Sequence, residues 1–93
     1  MISLQQEDTI RETVKKFEPS LVGIFGSYAR NEYNNTSDLD ILIDFEKNVN
    51  LLDLIGLEQE LSELLGIKVD LVTVRSVNQK LNSNIQRDLI RIV

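Results

Sequence analysis

The residues of this chain whose types and spacing suit chemistry are Gly26-Ser27, then ten residues (28–37), then Asp38-Leu39-Asp40, and further on Asp70. The apolar run 21–25 precedes the Gly-Ser pair, and Leu39, Ile41, Leu42, Ile43 and Phe45 follow it. Both runs are short, rich in branched residues and flanked by turn formers, so both read as strands. A Gly-Ser pair that leaves a strand and opens a helix aims free backbone N–H groups at an anion. Two Asp residues at i and i+2 on a strand point the same way, about 7 Å apart along it. Like charges this close raise each other's pKa unless a cation neutralises them. The pattern therefore offers a phosphate cradle beside a carboxylate pair for a hard cation. Taken alone, Asp-x-Asp reads first as a solvated strand edge.

Asp70 sharpens the choice. It is the only acid in the otherwise apolar stretch 67–74, and a buried acid is costly unless it is paired or metal-bound. If its strand lies beside the Asp38-Asp40 strand, three carboxylates meet. Three acids from two strands plus a nucleotide's phosphates make a two-metal site for in-line nucleotidyl transfer. The competing reading of Asp70 is an acid at a sheet edge, facing water.

Composition narrows the chemistry further. The 93 residues suffice for one domain, 1–93, burying roughly 60–65% of its unfolded surface. A net charge of −5 argues against a nucleic-acid binder that works by phosphate neutralisation. With no Cys and no His there is no disulfide, no thiolate or imidazole metal site and no Ser-His-Asp triad. Oxygen ligands remain, and these suit Mg²⁺ or Mn²⁺. No apolar run approaches the ~20 residues of a membrane span and the start is polar, so a cytoplasmic, membrane-free protein is expected.

The elements that must position these residues follow from capping and periodicity. Ser3 and Gln6 form a capping box for a helix to Phe17, with Ile10, Val14 and Phe17 on one stripe, and Pro19 ends it. A strand over 21–25 leads to Gly26, a short helix over 27–32, a polar loop over 33–37, and a second strand over 38–45. Leu39, Ile41, Ile43 and Phe45 give its core face; Asp38, Asp40, Leu42 and Asp44 give the other. Asn50 caps a helix whose apolar face holds Leu51, Leu54, Ile55, Leu57, Leu61, Leu64 and Leu65, and Gly66 supplies its left-handed C-cap. A third strand covers 67–74. A last helix over 77–92 carries Leu81, Ile85, Leu89 and Ile92 at helical spacing. The expected fold is α/β (α+β), a three-stranded mixed sheet backed by helices in the order α-β-α-β-α-β-α.

Gly26-Ser27-Tyr28-Ala29-Arg30, the ten-residue spacing to Asp38-Leu39-Asp40, and Lys68-Val69-Asp70-Leu71-Val72-Thr73 resemble the minimal nucleotidyltransferases of the polymerase-beta superfamily. The resemblance covers nearly the whole chain, including Leu64-Leu65-Gly66 and Asn84-Ile85-Gln86-Arg87, and is greatest to the MntA-like antitoxin group, whose partner is a HEPN-domain ribonuclease toxin. It implies the small nucleotidyltransferase fold and roles for named residues. Gly26 and Ser27 would hold the β- and γ-phosphates of a nucleoside triphosphate. Asp38 and Asp40 would bind two Mg²⁺ (or Mn²⁺) ions, and Asp70 would share the one that activates the acceptor hydroxyl. Arg30 would neutralise phosphate charge; a surface ion pair with Glu32 or Asp44 is its other reading. Asp44 is rim.

The resemblance further implies transfer of AMP from ATP to a tyrosine of the HEPN toxin, making the chain its antitoxin. The alternatives are an antitoxin that only covers its toxin, and a transferase acting on a small molecule such as an aminoglycoside. Where this family has Gly after Ala-Arg the chain has Asn31, which tolerates left-handed backbone.

Overall fold

The computed structural model describes residues 2–34, 36–77 and 79–93, the side chains at 79–82 and 84 excepted. The capping box forms as its residues dictate. The Ser3 hydroxyl accepts from the Gln6 N–H at 3.1 Å and the Gln6 amide oxygen from the Ser3 N–H at 2.8 Å. It opens α1 (Leu4–Val14), which tightens into a 3₁₀ turn at Lys15–Phe17. Glu18 then adopts a left-handed conformation (φ 50°), and Pro19 starts β1 (Pro19–Phe25), a strand's first residue being a place where its missing N–H does no harm.

The remaining elements are β2 (Leu39–Phe45), α2 (Leu51–Leu65), β3 (Val69–Thr73), a 3₁₀ turn at Val74–Ser76, α3 (Gln79–Asp88) and β4 (Ile90–Arg91). The sheet order is β3-β2-β1-β4, with β2 and β3 parallel and the other neighbours antiparallel. The sheet is thus mixed, as expected, but four-stranded. The expected helix over 77–92 stops at Asp88 because Ile90 and Arg91 find a partner in the free edge of β1, opposite Ile24 and Gly23. Helical spacing of Leu89 and Ile92 is a weaker pull than those ladder bonds. Leu81, expected on the same helical stripe, lies outside the described side chains, as does Asn84; Asn35 of the expected polar loop lies outside the described residues.

The expected helix after Gly26 is also shorter than its sequence suggests. Arg30 N–H reaches Gly26 O at 3.1 Å, Asn31 N–H reaches Tyr28 O at 3.3 Å and Glu32 N–H reaches Ser27 O at 2.8 Å. This is one wound turn with an uneven ladder, and Asn31 at φ 60° ends it in the left-handed region its side chain tolerates.

Helices cover both sheet faces. Val22, Ile24, Leu39, Ile41, Ile43 and Val69 face α1 and α2 and are buried with Ile10, Val14, Leu57 and Leu61. Phe25 and Leu42 face the other way and are buried beneath Ile85 of α3, with Leu21, Val72 and Leu89 packed around them. At Gly23 a Cβ would run into Leu89, so a residue without one lets α3 and β4 close on β1. Asn50 accepts from the Asp53 N–H at 2.8 Å and Gly66 (φ 67°) ends α2. That helix buries only part of its expected apolar face. Leu57 and Leu61 turn inward, but Leu51, Ile55 and Leu64 are exposed, together with Leu52. Two α2 side chains also satisfy the outer edge of β3: Ser62 Oγ accepts from Val69 N–H at 2.9 Å and Glu58 from Leu71 N–H at 2.8 Å.

Candidate active site

Alternation along β2 sends Asp40 to the α3 side of the sheet, while Leu39 and Ile41 go to the core on the other side. The antiparallel register sets Asp40 opposite Phe25, the last residue of β1, so the chain turns at Gly26 directly beside it. The parallel register sets Asp40 opposite Asp70 of β3. Asp38 immediately precedes β2. The sheet therefore brings together Gly26, Asp38, Asp40 and Asp70 at one end, from three sequence regions.

The contact between the turn and the carboxylate is close. Gly26 has φ +76°, and a Cβ there would overlap Asp40 Oδ2. Glycine is required at this position twice over, for its backbone conformation and for the room it leaves. Among the described residues, nothing accepts from the Ser27 N–H or hydroxyl.

The carboxylates act on one another as charges. Asp40 is pushed up to about 6, first by burial, then by the charges of Asp70 and Asp38, with Arg30 acting in the opposite direction. Asp70 itself is exposed rather than buried among its apolar sequence neighbours; its strand lies at the edge of the sheet. Asp38 has a cation within reach, Lys68 Nζ at 3.8 Å, whose backbone carbonyl also accepts from Leu39 N–H at 2.8 Å. Among the described residues no three carboxylates close around a common point as the ligands of a bound ion do. The donor set still fits a hard divalent cation: it is all oxygen and negative, and a cation there would offset the burial and neighbouring charge that oppose ionisation of Asp40. Asp44, read as rim, sits at the far end of β2 and accepts from the Phe45 N–H at 3.0 Å.

Arg30 does make the expected ion pair with Glu32, Nε to Oε2 at 3.1 Å, but not with Asp44. Its stronger partner is one that sequence reasoning missed, Asp88 of α3, at 2.6 Å from Nη1. The signal was an acid in a helix's last turn, where the dipole disfavours it. It went unread because the helix was expected to continue past it. Beside Asp38 there is also an open cleft of ≈ 420 Å³, lined by Tyr28, Tyr33, Ser37, Asp38 and Lys68, in which the two tyrosine rings stack at 4.2 Å.

A small mixed sheet with a Gly-Ser turn at the end of one strand and carboxylates at the same end of the next two is the arrangement of the minimal nucleotidyltransferase fold. The chain belongs to the nucleotidyltransferase domain family, which matches residues 7–92. A Methanocaldococcus jannaschii relative, named as a candidate protein adenylyltransferase, is 51% identical over 83 residues, 88% of this chain and 85% of its own. Protein adenylyltransferase MntA of Thermococcus cleftensis is 36% identical over 97 residues, covering 99% of this chain and 98% of its own. Among solved structures, a candidate minimal nucleotidyltransferase superposes with TM-score 0.82 at 34% identity, over 92% of this chain and 88% of that one. A toxin–antitoxin crystal structure with AMP-PNP superposes with TM-score 0.84 at 25% identity, over 94% and 72%.

Proposed function

We propose that residues 1–93 form a single minimal nucleotidyltransferase domain that transfers AMP from ATP onto a protein hydroxyl, a tyrosine of a HEPN-domain ribonuclease toxin, and so acts in the cytoplasm as that toxin's antitoxin. The family membership and the names of the relatives support the reaction class and the acceptor class. The observation that carries the reading is the register of Asp40 against Asp70 with Gly26 packed on Asp40, which supports phosphate binding by the Gly26-Ser27 turn next to the carboxylates.

In this reading the Ser27 hydroxyl and the N–H groups of the Gly26-Ser27 turn hold the β- and γ-phosphates, and Arg30 adds positive charge beside them. Asp38, Asp40 and Asp70 would hold Mg²⁺, which when bound neutralises phosphate charge and makes the acceptor hydroxyl more acidic. The acceptor oxygen forms a bond to the α-phosphorus as the bond to the bridging oxygen breaks, and pyrophosphate leaves. Asp70, exposed at the sheet edge, is open to an incoming protein side chain and takes the hydroxyl proton.

The test is to incubate the chain with α-labelled ATP, Mg²⁺ and a HEPN-domain partner, and to read the partner's mass. A gain of one or more AMP units on tyrosine is the expected result. An unmodified partner that is nevertheless bound and silenced would replace this reading with that of an antitoxin acting by contact alone.

A further inference from the structure

We infer that Asp88 is a positioning residue for the nucleotide site, holding the Arg30 guanidinium beside the Gly26-Ser27 turn; this rests on the transfer reading above. Arg30 belongs to the turn, since its N–H donates to Gly26 O at 3.1 Å. Its guanidinium is held on two sides, by Asp88 at Nη1 (2.6 Å) and by Glu32 at Nε (3.1 Å). These two bonds use two of the five N–H donors of the fork, and no other described residue accepts from it. With the side chain still 39% exposed, the remaining donors are open to an incoming phosphate.

Asp88 is built for this contact. Its side chain is only 7% exposed, although it stands at the C-terminal end of α3, where the helix dipole disfavours an acid. The Arg30 hydrogen bond first, then Arg87 at 3.4 Å, holds its carboxyl below the usual range. Its helix is in turn fixed to the sheet face that carries Asp40 through Ile85 over Phe25 and Leu42, and the next residue, Leu89, packs against the same cluster. Glu32 is 67% exposed and has no such anchor. The carboxylate of Asp88 is thus the rigid member of the clamp.

A held guanidinium has less freedom to lose when it meets a phosphate than one that swings in solvent. Asp88→Asn is therefore expected to weaken binding of Mg²⁺-ATP by about two- to twelve-fold, the range set by ordering one long side chain. The experiment is a double-mutant cycle by calorimetry on the full chain, with wild type, Arg30→Ala, Asp88→Asn and the pair. The expected result is that Asp88→Asn costs nothing further in the Arg30→Ala background, and that Asp88→Glu, which keeps the charge, retains more affinity than Asp88→Asn. An equal loss in both backgrounds would make Asp88 a strut for α3 and overturn the inference, as would tighter binding by Asp88→Asn. If Asp88→Asn fails to fold, Asp88→Glu binding no better than Arg30→Ala overturns it as well. Wild type that binds no Mg²⁺-ATP removes this inference and the transfer reading together; wild type that binds, with additive variants, removes this inference alone.

Discussion

Asp40 and Asp70 face each other across neighbouring parallel strands, one half-buried and the other open to water. Strand spacing sets the two residues about 5 Å apart at the backbone. Burial, with the charges of Asp70 and Asp38 beside it, raises the pKa of the half-buried Asp40, and the exposed Asp70 remains open to a second molecule.

That asymmetry predicts how the metal-free protein responds to pH. Asp40 titrates near 6 folded and near 3.8 unfolded, so between those values the folded state binds more protons. Stability should fall as pH rises from about 4 to 6, and the penalty should be fully present above that range. Discounted for the carboxylate's partial exposure, it is about 1–2 kcal/mol. Thermal melts of wild type and Asp40→Asn check this. The variant should be the more stable at pH 7.5 and should lose that advantage near pH 4.

A divalent cation should reverse the same penalty. Millimolar Mg²⁺ is expected to raise the melting temperature of wild type at pH 7.5 by mass action on the folded state. Asp38→Asn/Asp40→Asn should show no such rise. An equal shift in both proteins would place the ion elsewhere.

The same double variant should abolish adenylyl transfer, with a loss of at least about 10²- to 10³-fold, because it removes charge from the site without changing volume. Circular dichroism should show the fold intact. Full transfer by the variant would remove these acids from the mechanism.

Two glycines with left-handed backbone separate strain from site chemistry. Gly66→Ala meets open space at φ +67° and should cost about 1 kcal/mol while leaving nucleotide binding unchanged. Gly26→Ala carries the same backbone strain and overlaps Asp40 as well, so it should destabilise by more and weaken ATP binding too. Denaturant midpoints and calorimetry on the two variants give the comparison.

Local pattern made much of this readable in advance. Alternation along residues 39–45 assigned Asp40 its face, the Gly26 break located the turn, and Ser3, Asn50 and Gly66 marked helix ends that the structure keeps. What escaped depends on distant partners. The strand at Ile90–Arg91 exists because β1 has a free edge, which no window around residue 90 reveals. Asp88 meets Arg30 from 58 positions away. Asp70 is surrounded by apolar neighbours in sequence and by water in space, because burial is set by where β3 falls in the sheet. Leu51, Ile55 and Leu64 fit a helical stripe, but α2 meets the core over a narrower arc than its apolar residues cover.

The two hydrogen bonds that α2 makes to the outside of β3 limit how another protein can recognise this one. Strand addition needs unpaired main-chain groups along a sheet edge. At Val69 and Leu71 those N–H groups are already taken by Ser62 and Glu58. A partner approaching the carboxylates from the β3 side meets an edge already occupied at these two N–H groups, which leaves side-chain shape and charge to be read there.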